Sequence, residues 1–126
     1  MIIYKFGGTS LGNASRMKSV ADLITRDDQQ KIVVLSAVSG TTDTLIRLSA
    51  AAPDAAMDII SQMEKQYQQY THELLENEDC RRGALEFLED NFRALKEAVQ
   101  SPGLRDEKWF VAHGELMSTS LFSLLM

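Results

Sequence analysis

The run Lys31–Leu35 (KIVVL) constrains the fold more than any other feature of the sequence. Its three consecutive branched apolar residues are typical of a strand that is covered on both faces of a parallel sheet. A second β-prone run, Ile2–Phe6, comes earlier and is followed directly by two glycines. Between the two runs, apolar residues recur at helical spacing at Met17, Val20, Ala21 and Ile24. The pattern predicts a strand–helix–strand unit with parallel strands and a right-handed crossover.

The chain is predicted to be helical after KIVVL. Thr42 is expected to cap a helix that carries Leu45 and ends before Pro53. Two longer amphipathic helices follow, joined by the polar stretch 77–82 (NEDCRR), and they predict an antiparallel hairpin with its apolar stripes face to face. The first stripe is Ile60, Met63, Tyr67, Tyr70 and Leu74, and the second is Leu85, Leu88, Phe92, Leu95 and Val99. Core packing is the simplest role for these stripes, and a partner-binding helix face is the alternative.

A break at residues 101–103 separates this hairpin from a last helix, which Asp106 is expected to cap. The fold class is therefore α/β: a parallel strand–helix–strand start followed mostly by helices. Two strands are too few for a stable sheet with a core on both faces. The apolar ending 116–126 (LMSTSLFSLLM) also lacks a helix-ending glycine or a polar tail. We therefore expect residues 1–126 to be the N-terminal part of a larger domain, or a short chain that a partner completes.

Composition narrows the function classes. The 126 residues are 44% hydrophobic and 25% charged, as in soluble globular domains, so wholesale disorder and fibrous repeats are excluded. The formal net charge of −5 disfavours general binding to nucleic acid. No apolar run reaches the roughly 18 residues of a membrane span, and no signal-peptide pattern is seen. The single Cys80 allows no internal disulfide, so nothing suggests an oxidising compartment. From these observations together we expect a cytoplasmic protein with neither membrane nor nucleic-acid partners.

The first candidate site is the segment Lys5–Ser10 (KFGGTS), where the first strand ends. In open α/β sheets, ligands bind beyond the carboxyl ends of the strands. Paired glycines let the backbone approach an anion, and the amides of such a turn can cradle phosphate oxygens. Thr9 and Ser10 add hydroxyl donors, and Lys5 adds a positive charge. The segment suits a polyphosphate, although it is neither a P-loop nor a GxGxxG pattern, and a purely structural turn is the alternative.

The second candidate is the segment 36–42 (SAVSGTT), which directly follows the second strand. In a parallel pair it lies beside the first glycine loop. Its hydroxyls and the helix start behind them favour an anion, either a phosphate or a carboxylate. A helix start with ordinary turn-forming residues is the alternative.

The third candidate is the segment His113–Ser118 (HGELMS), near the start of the last helix. Glu115 lies among apolar neighbours in the sequence, and a carboxylate there needs a partner such as a substrate ammonium group or a backbone amide. His113 is a candidate base. No cysteine or second histidine stands at ligand spacing, so no metal site is expected, and His72 in the hairpin is expected to face solvent.

KFGGTS at the start, VVLSAVSGTTD after the second strand and HGELMS after a helical hairpin together resemble the aspartokinase family, which has the amino-acid kinase fold. The resemblance covers the whole chain but only the N-terminal part of an aspartokinase. It implies phosphorylation of the side-chain carboxylate of L-aspartate by Mg-ATP, with Mg²⁺ as the accompanying ion. This reaction is the first step toward lysine, threonine and methionine.

The resemblance also implies how ATP would be held. Lys5 would be the catalytic residue that holds and neutralises the transferring phosphoryl group. The backbone of Gly7, Gly8 and Thr9, together with the Ser10 hydroxyl, would cradle the triphosphate.

The aspartate side of the site is implied in the same way. Ser36 would lie near both the phosphates and the reacting carboxylate. Thr42 would contact the aspartate, and Glu115 would bind its amino group.

In the family, the remaining aspartate and nucleotide contacts, and the regulatory domains, come from later sequence. We therefore expect the isolated chain to be inactive and to form homo-oligomers or aggregates through exposed apolar surface. One alternative is an amino-acid kinase with another acceptor. The other is a short non-catalytic subunit that docks on an intact kinase.

Overall fold

The fold begins with a two-stranded parallel sheet. The computed structural model describes residues 1–101 and 105–126 of the chain. Strand β1 (Ile2–Phe6) pairs with strand β2 (Lys31–Leu35), with Ile2 opposite Lys31 and Phe6 opposite Leu35. Helix α1 (Ala14–Ile24) connects them and buries its predicted apolar face. The strand–helix–strand prediction is confirmed.

The two faces of this sheet differ. Tyr4, Phe6 and Val33 are partly buried against the helical core on one face. On the other face Ile3 is 68%, Ile32 46% and Val34 47% exposed. The expectation that KIVVL is covered on both faces is therefore wrong for this chain, because helices pack on one side of the sheet only.

Helix α2 (Thr41–Ala50) starts two residues earlier than a Thr42 cap would place it. Gly40 is its N-cap residue, with a left-handed φ of 84°, and no side chain caps this end. The prediction that Thr42 caps the helix is wrong, because the turn at Gly40 already sets Thr41 as the first helical residue. The helix ends before Pro53 as predicted, and Pro53 opens the next helix, where its missing N–H costs nothing.

Helices α3 (Pro53–Leu74) and α4 (Glu78–Gln100) form the predicted hairpin. Their apolar stripes lie in the core except at Leu85, where the neighbouring Ala84 is the buried residue. Tyr67 packs edge-on against Phe92 with ring centroids 5.9 Å apart. The connection is shorter than expected, since α4 already begins at Glu78 and Asn77 caps it by accepting a hydrogen bond from the Cys80 amide. Most of the polar stretch 77–82 is thus the first turn of α4, where acidic side chains suit the helix dipole.

Helix α5 (Glu107–Leu125) completes the described structure. Asp106 caps it as predicted, by accepting a hydrogen bond from the Lys108 amide. The break predicted at residues 101–103 lies largely outside the described residues, but α4 does end at Gln100. Leu121 and Phe122 are buried within the chain itself. No helix in the described ranges is long and apolar enough to cross a membrane.

Candidate active site

Two loops leave the same edge of the sheet. The first loop (Gly7–Gly12) follows β1, and the second loop (Ser36–Gly40) follows β2. The Ser36 amide donates a hydrogen bond of 3.1 Å to the Phe6 carbonyl, so the two loops begin side by side. This edge is formed by the carboxyl ends of parallel strands, where open α/β sheets bind ligands.

The two glycines of the first loop have different surroundings. A Cβ on Gly8 would lie 2.9 Å from the Ala37 carbonyl oxygen, so the packing of the first loop on the second requires glycine there. A Cβ on Gly7 would meet no protein atom within 4 Å. Thr9 and Ser10 are exposed in a single 3-10 turn that spans Gly8–Leu11. The backbone at Gly7 and the hydroxyls of Thr9 and Ser10 are therefore open to solvent beyond β1.

The second loop ends where α2 begins. The Thr41 amide donates to the Val38 carbonyl over 3.0 Å, which closes the turn at Gly40. The Thr42 side chain is exposed and is not used as a cap. The Ser36 hydroxyl is partly buried and donates to the neighbouring Ala37 carbonyl over 3.1 Å. Thr42 therefore presents an exposed hydroxyl in the first turn of a helix, with no hydrogen bond to the residues that the structure describes.

Helix α5 brings the third motif against the second loop. A Cβ on Gly114 would lie 2.9 Å from Ala37 Cβ and 3.0 Å from Thr41 Cγ2, so only glycine permits this approach. One turn further on, the buried Ser118 hydroxyl donates to the Ser36 carbonyl over 2.7 Å. The structure thus brings all three motifs together around Ser36 and Ala37.

Glu115 lies between these two contacts on α5, and its side chain is exposed. Glu115 therefore does not need the buried partner that its apolar sequence neighbours suggested, because its carboxylate is open to solvent. Among residues 1–101 and 105–126, its carboxylate has no ion pair.

His113 faces the core instead of the loops. It is buried, its ring lies 4.3 Å from that of Trp109, and its Nδ1 is 2.8 Å from the Trp109 carbonyl. Because a carbonyl can only accept, Nδ1 carries the hydrogen. These contacts argue against His113 as a base. His72 is exposed as predicted.

Positive charge lies on both sides of the first loop. Lys5 is exposed on the uncovered face of β1, opposite Val34 in the sheet register. Arg16, which the motif reading missed, donates from Nη1 to the Thr9 carbonyl over 3.0 Å. The only sequence signal for Arg16 is its place three residues after Asn13, the residue that caps α1.

A cleft of about 470 Å³ opens between the two loops and α3. None of the individual site residues implied by the family resemblance lines it, but residues 38–41 of the second candidate segment do. Its walls are Gly12 and Asn13, Val38 to Thr41, Thr44, and one side of α3, which contributes Met63, Gln66, Tyr67, Gln69, Tyr70 and Glu73. No group of three or more His, Cys, Asp or Glu side chains in the described parts of the chain could hold a metal ion.

A parallel strand–helix–strand unit whose two carboxyl-end loops meet a glycine-bearing helix places the chain among α/β proteins, the class whose open sheets bind ligands beyond the carboxyl ends of the strands. Comparison with known proteins narrows this class. The model of the amino acid kinase family matches residues 1–126, and the chain belongs to that family.

Within the family, the chain is similar to aspartokinases. It is 36% identical over 126 residues to the lysine-sensitive aspartokinase 3 of Escherichia coli, a match covering 97% of this chain and 27% of that protein. It is 31% identical over 130 residues to the chloroplastic bifunctional aspartokinase/homoserine dehydrogenase 1 of Zea mays, covering 96% of this chain and 14% of that one. The resemblance to aspartokinases is confirmed, and the chain spans about a quarter or less of these relatives.

Solved structures agree. Aspartokinase III of E. coli in complex with aspartate and ADP superimposes with a TM-score of 0.78 at 27% identity. That match covers 99% of this chain and 28% of the other. The partial amino-acid kinase fold inferred from the motifs is confirmed.

Proposed function

We propose that this chain supplies the phosphate-holding loop and part of the aspartate-holding surface of an aspartate kinase. The observation that carries the proposal is the meeting of the three motifs at Ser36 and Ala37. The similarity to aspartokinases over nearly the whole chain supports the choice of substrate class. The reaction converts Mg-ATP and L-aspartate to ADP and aspartyl phosphate, the first step toward lysine, threonine and methionine.

The first loop holds the triphosphate. A Cβ on Gly7 would meet nothing within 4 Å, so the space beside this backbone is open to phosphate oxygens. The amides of Gly7, Gly8 and Thr9 and the exposed Ser10 hydroxyl are the donors in this proposal. Lys5 neutralises the phosphoryl group during transfer. Charge stabilisation of this kind is a main contribution of the protein to catalysis of phosphoryl transfer.

The second loop and α5 hold L-aspartate. Glu115, exposed and without an ion-pair partner in the described ranges, binds the substrate ammonium group. The Thr42 hydroxyl, which does not cap α2, contacts the substrate at the start of that helix. Ser36 lies between the two substrates, because its strand neighbours β1 and its carbonyl is bonded to α5.

The chemistry needs positioning more than covalent help. One oxygen of the aspartate side-chain carboxylate bonds to the γ-phosphorus of ATP. The bond from that phosphorus to the bridging oxygen breaks, and ADP leaves with the electron pair. Magnesium enters with ATP as part of the substrate.

The proposal extends to the chain's surroundings. Since the chain spans only 27% of E. coli aspartokinase 3, we propose that it is inactive alone and works with the remainder of a kinase domain and regulatory domains. We also propose homo-oligomer formation, which the exposed Ile3, Ile32 and Val34 support. A cytoplasmic location is part of the proposal, and cell fractionation tests it.

Ligand titration followed by NMR tests the binding roles directly. The ¹⁵N-labelled chain is titrated with Mg-ATP and, separately, with L-aspartate. Mg-ATP is expected to shift the amides of Gly7 to Ser10, and L-aspartate those of Ser36, Thr42 and Glu115. The pattern separates the proposal from its alternatives, since a different acceptor amino acid would replace aspartate and a non-catalytic subunit would bind neither ligand.

Matched charge variants complete the test. Lys5→Met is expected to weaken Mg-ATP binding, while Lys65→Met on the exposed surface of α3 leaves it unchanged. Glu115→Gln is expected to weaken L-aspartate binding much more than Mg-ATP binding, while Glu86→Gln on α4 affects neither. Equal effects of Lys5→Met and Lys65→Met would refute the role of Lys5.

A further inference from the structure

Two tyrosines of α3 reach out of the helical hairpin, and each one bonds to a different loop. The Tyr70 hydroxyl donates to the Leu11 carbonyl at the end of the first loop, over 2.8 Å. The Tyr67 hydroxyl lies 2.7 Å from the Thr41 hydroxyl, at the junction of the second loop and α2. The partners are 59 and 26 residues away in the chain. One helix face therefore ties both loops of the proposed site.

Neither hydroxyl is needed for packing. The rings of Tyr67 and Tyr70 fill the apolar stripe of α3, a task that phenylalanine does equally well. A buried hydroxyl is costly unless it is hydrogen-bonded, and the buried Tyr67 hydroxyl and the partly buried Tyr70 hydroxyl each have such a partner. Burial raises the pKa of Tyr67 to about 12, which keeps its hydroxyl protonated.

The two anchored points adjoin the functional segments. Leu11 is fully buried and ends the 3-10 turn that presents Thr9 and Ser10. Thr41 directly precedes Thr42 and lies against Gly114 of the third motif. Beside these points the loops border the open cleft of about 470 Å³, so open space replaces packing there. Tyr67, Tyr70 and Thr41 themselves line this cleft, so both hydroxyl contacts lie at its wall.

We propose that Tyr70 and Tyr67 are positioning residues that set the two loops separately, Tyr70 the phosphate-holding loop and Tyr67 the start of the aspartate-holding surface. The assignment of a ligand to each loop rests on the proposed function. A merely structural role for the pair predicts something else, namely that loss of either hydroxyl affects the whole domain and both ligands alike.

Tyr70→Phe and Tyr67→Phe keep the rings and remove one hydroxyl each. Amide hydrogen exchange and ¹⁵N relaxation, measured without ligand, report the order of each loop. Tyr70→Phe is expected to loosen residues 8–12 only, and Tyr67→Phe residues 39–42 only. The matched control is Tyr4→Phe, since the Tyr4 hydroxyl makes no hydrogen bond to any described residue, and it should loosen neither loop.

Binding gives the second readout. Tyr70→Phe is expected to weaken Mg-ATP about 3- to 10-fold and L-aspartate less than about 2-fold, because one hydrogen bond is worth this much. Tyr67→Phe is expected to show the reverse preference. Thr41→Val removes the partner hydroxyl and should reproduce Tyr67→Phe, which keeps the test valid if Tyr67→Phe does not fold.

Unchanged loops in both variants, or equal loosening of both loops by each variant, would overturn the inference. Failure of the proposed function looks different. If the wild-type chain binds neither ligand, the proposed function is refuted. The order of the two loops in the variants still tests the anchoring by the tyrosines: selective loosening of one loop supports it, and equal behaviour of both loops overturns it.

Discussion

The Ser118 hydroxyl donates a 2.7 Å hydrogen bond to the Ser36 carbonyl, joining residues 82 positions apart in the chain. Ser118 is completely buried and lies one helical turn beyond Glu115. The bond therefore fixes α5, and with it Glu115, relative to the loop that follows β2. It is the one described side-chain hydrogen bond between the second and third motifs.

Removal of this bond should cost stability. Ser118→Ala leaves the Ser36 carbonyl without its buried donor, and we expect a loss of about 1–3 kcal/mol in the free energy of unfolding. Urea unfolding followed by circular dichroism measures it. Ser120→Ala, on the same helix but less buried and without a described hydrogen bond, is the control. An equal loss in both variants would contradict the prediction.

The approach of α5 to the second loop depends on Gly114. Gly114→Ala places a Cβ against the rigid Cβ of Ala37, and we expect the resulting overpacking to destabilise the protein by about 1–3 kcal/mol. Gly83→Ala is the matched control in α4, since its Cβ would meet nothing within 4 Å. Removing a glycine from a helix interior should stabilise by about 0.5–1 kcal/mol. Thermal unfolding of both variants checks the opposite signs.

Stability should fall at alkaline pH through Tyr67. Burial raises its pKa from 10.0 to about 12 in the folded chain. Between these values the unfolded chain loses the proton and the folded chain keeps it, so the stabilisation is complete below pH 10 and is lost toward pH 12. A shift of this size corresponds to about 3 kcal/mol.

The measurement is urea unfolding at a series of alkaline pH values. The wild-type chain should lose more stability than Tyr67→Phe over this range, whereas Tyr4→Phe should follow the wild type. Parallel pH profiles for wild type and Tyr67→Phe would show that Tyr67 does not titrate as its burial requires.

The isolated chain should not catalyse the reaction. It spans 28% of the E. coli aspartokinase III structure that it matches, and we expect no aspartate-dependent formation of ADP by the purified 126 residues. A coupled ADP assay, with Lys5→Ala as the control for contaminating kinase, measures this. Activity in the wild type that disappears in Lys5→Ala would defeat the prediction of inactivity and support the role of Lys5.

The uncovered sheet face should drive self-association. Ile3, Ile32 and Val34 form an exposed apolar surface on one side of β1 and β2. We expect the double variant Ile3→Thr with Val34→Thr to associate less than the wild type in sedimentation velocity at micromolar concentration. Leu23→Thr, on an exposed position of α1, should behave as the wild type does. Monomeric wild type would contradict the expectation.

Local patterns were enough to predict much of the fold. Apolar periodicity predicts α1 and both helices of the hairpin, because each stripe is a property of a few successive turns. Asp106 predicts the start of α5, because a capping side chain accepts a hydrogen bond from an amide that closely follows it. The prediction that Thr42 caps α2 failed because it depended on backbone conformation. Nothing in the Thr-Thr pair shows that Gly40 adopts a left-handed conformation and is the N-cap residue instead of Thr42.

The candidate site shows the same division. The three motifs, their order and the parallel strands that bring the first two together can be read from the amino-acid sequence, since they follow from short-range pattern and strand direction. The packing of α5 against Ala37 through Gly114, and the bond from Ser118 to Ser36, are visible only in the folded chain. The folded chain alone also distinguishes Tyr67 and Tyr70 from the other stripe residues, because it shows which loop atoms their hydroxyls contact. The physical reason is that a side chain's role in a hydrogen bond depends on its partner, and these partners lie 26 to 82 residues away.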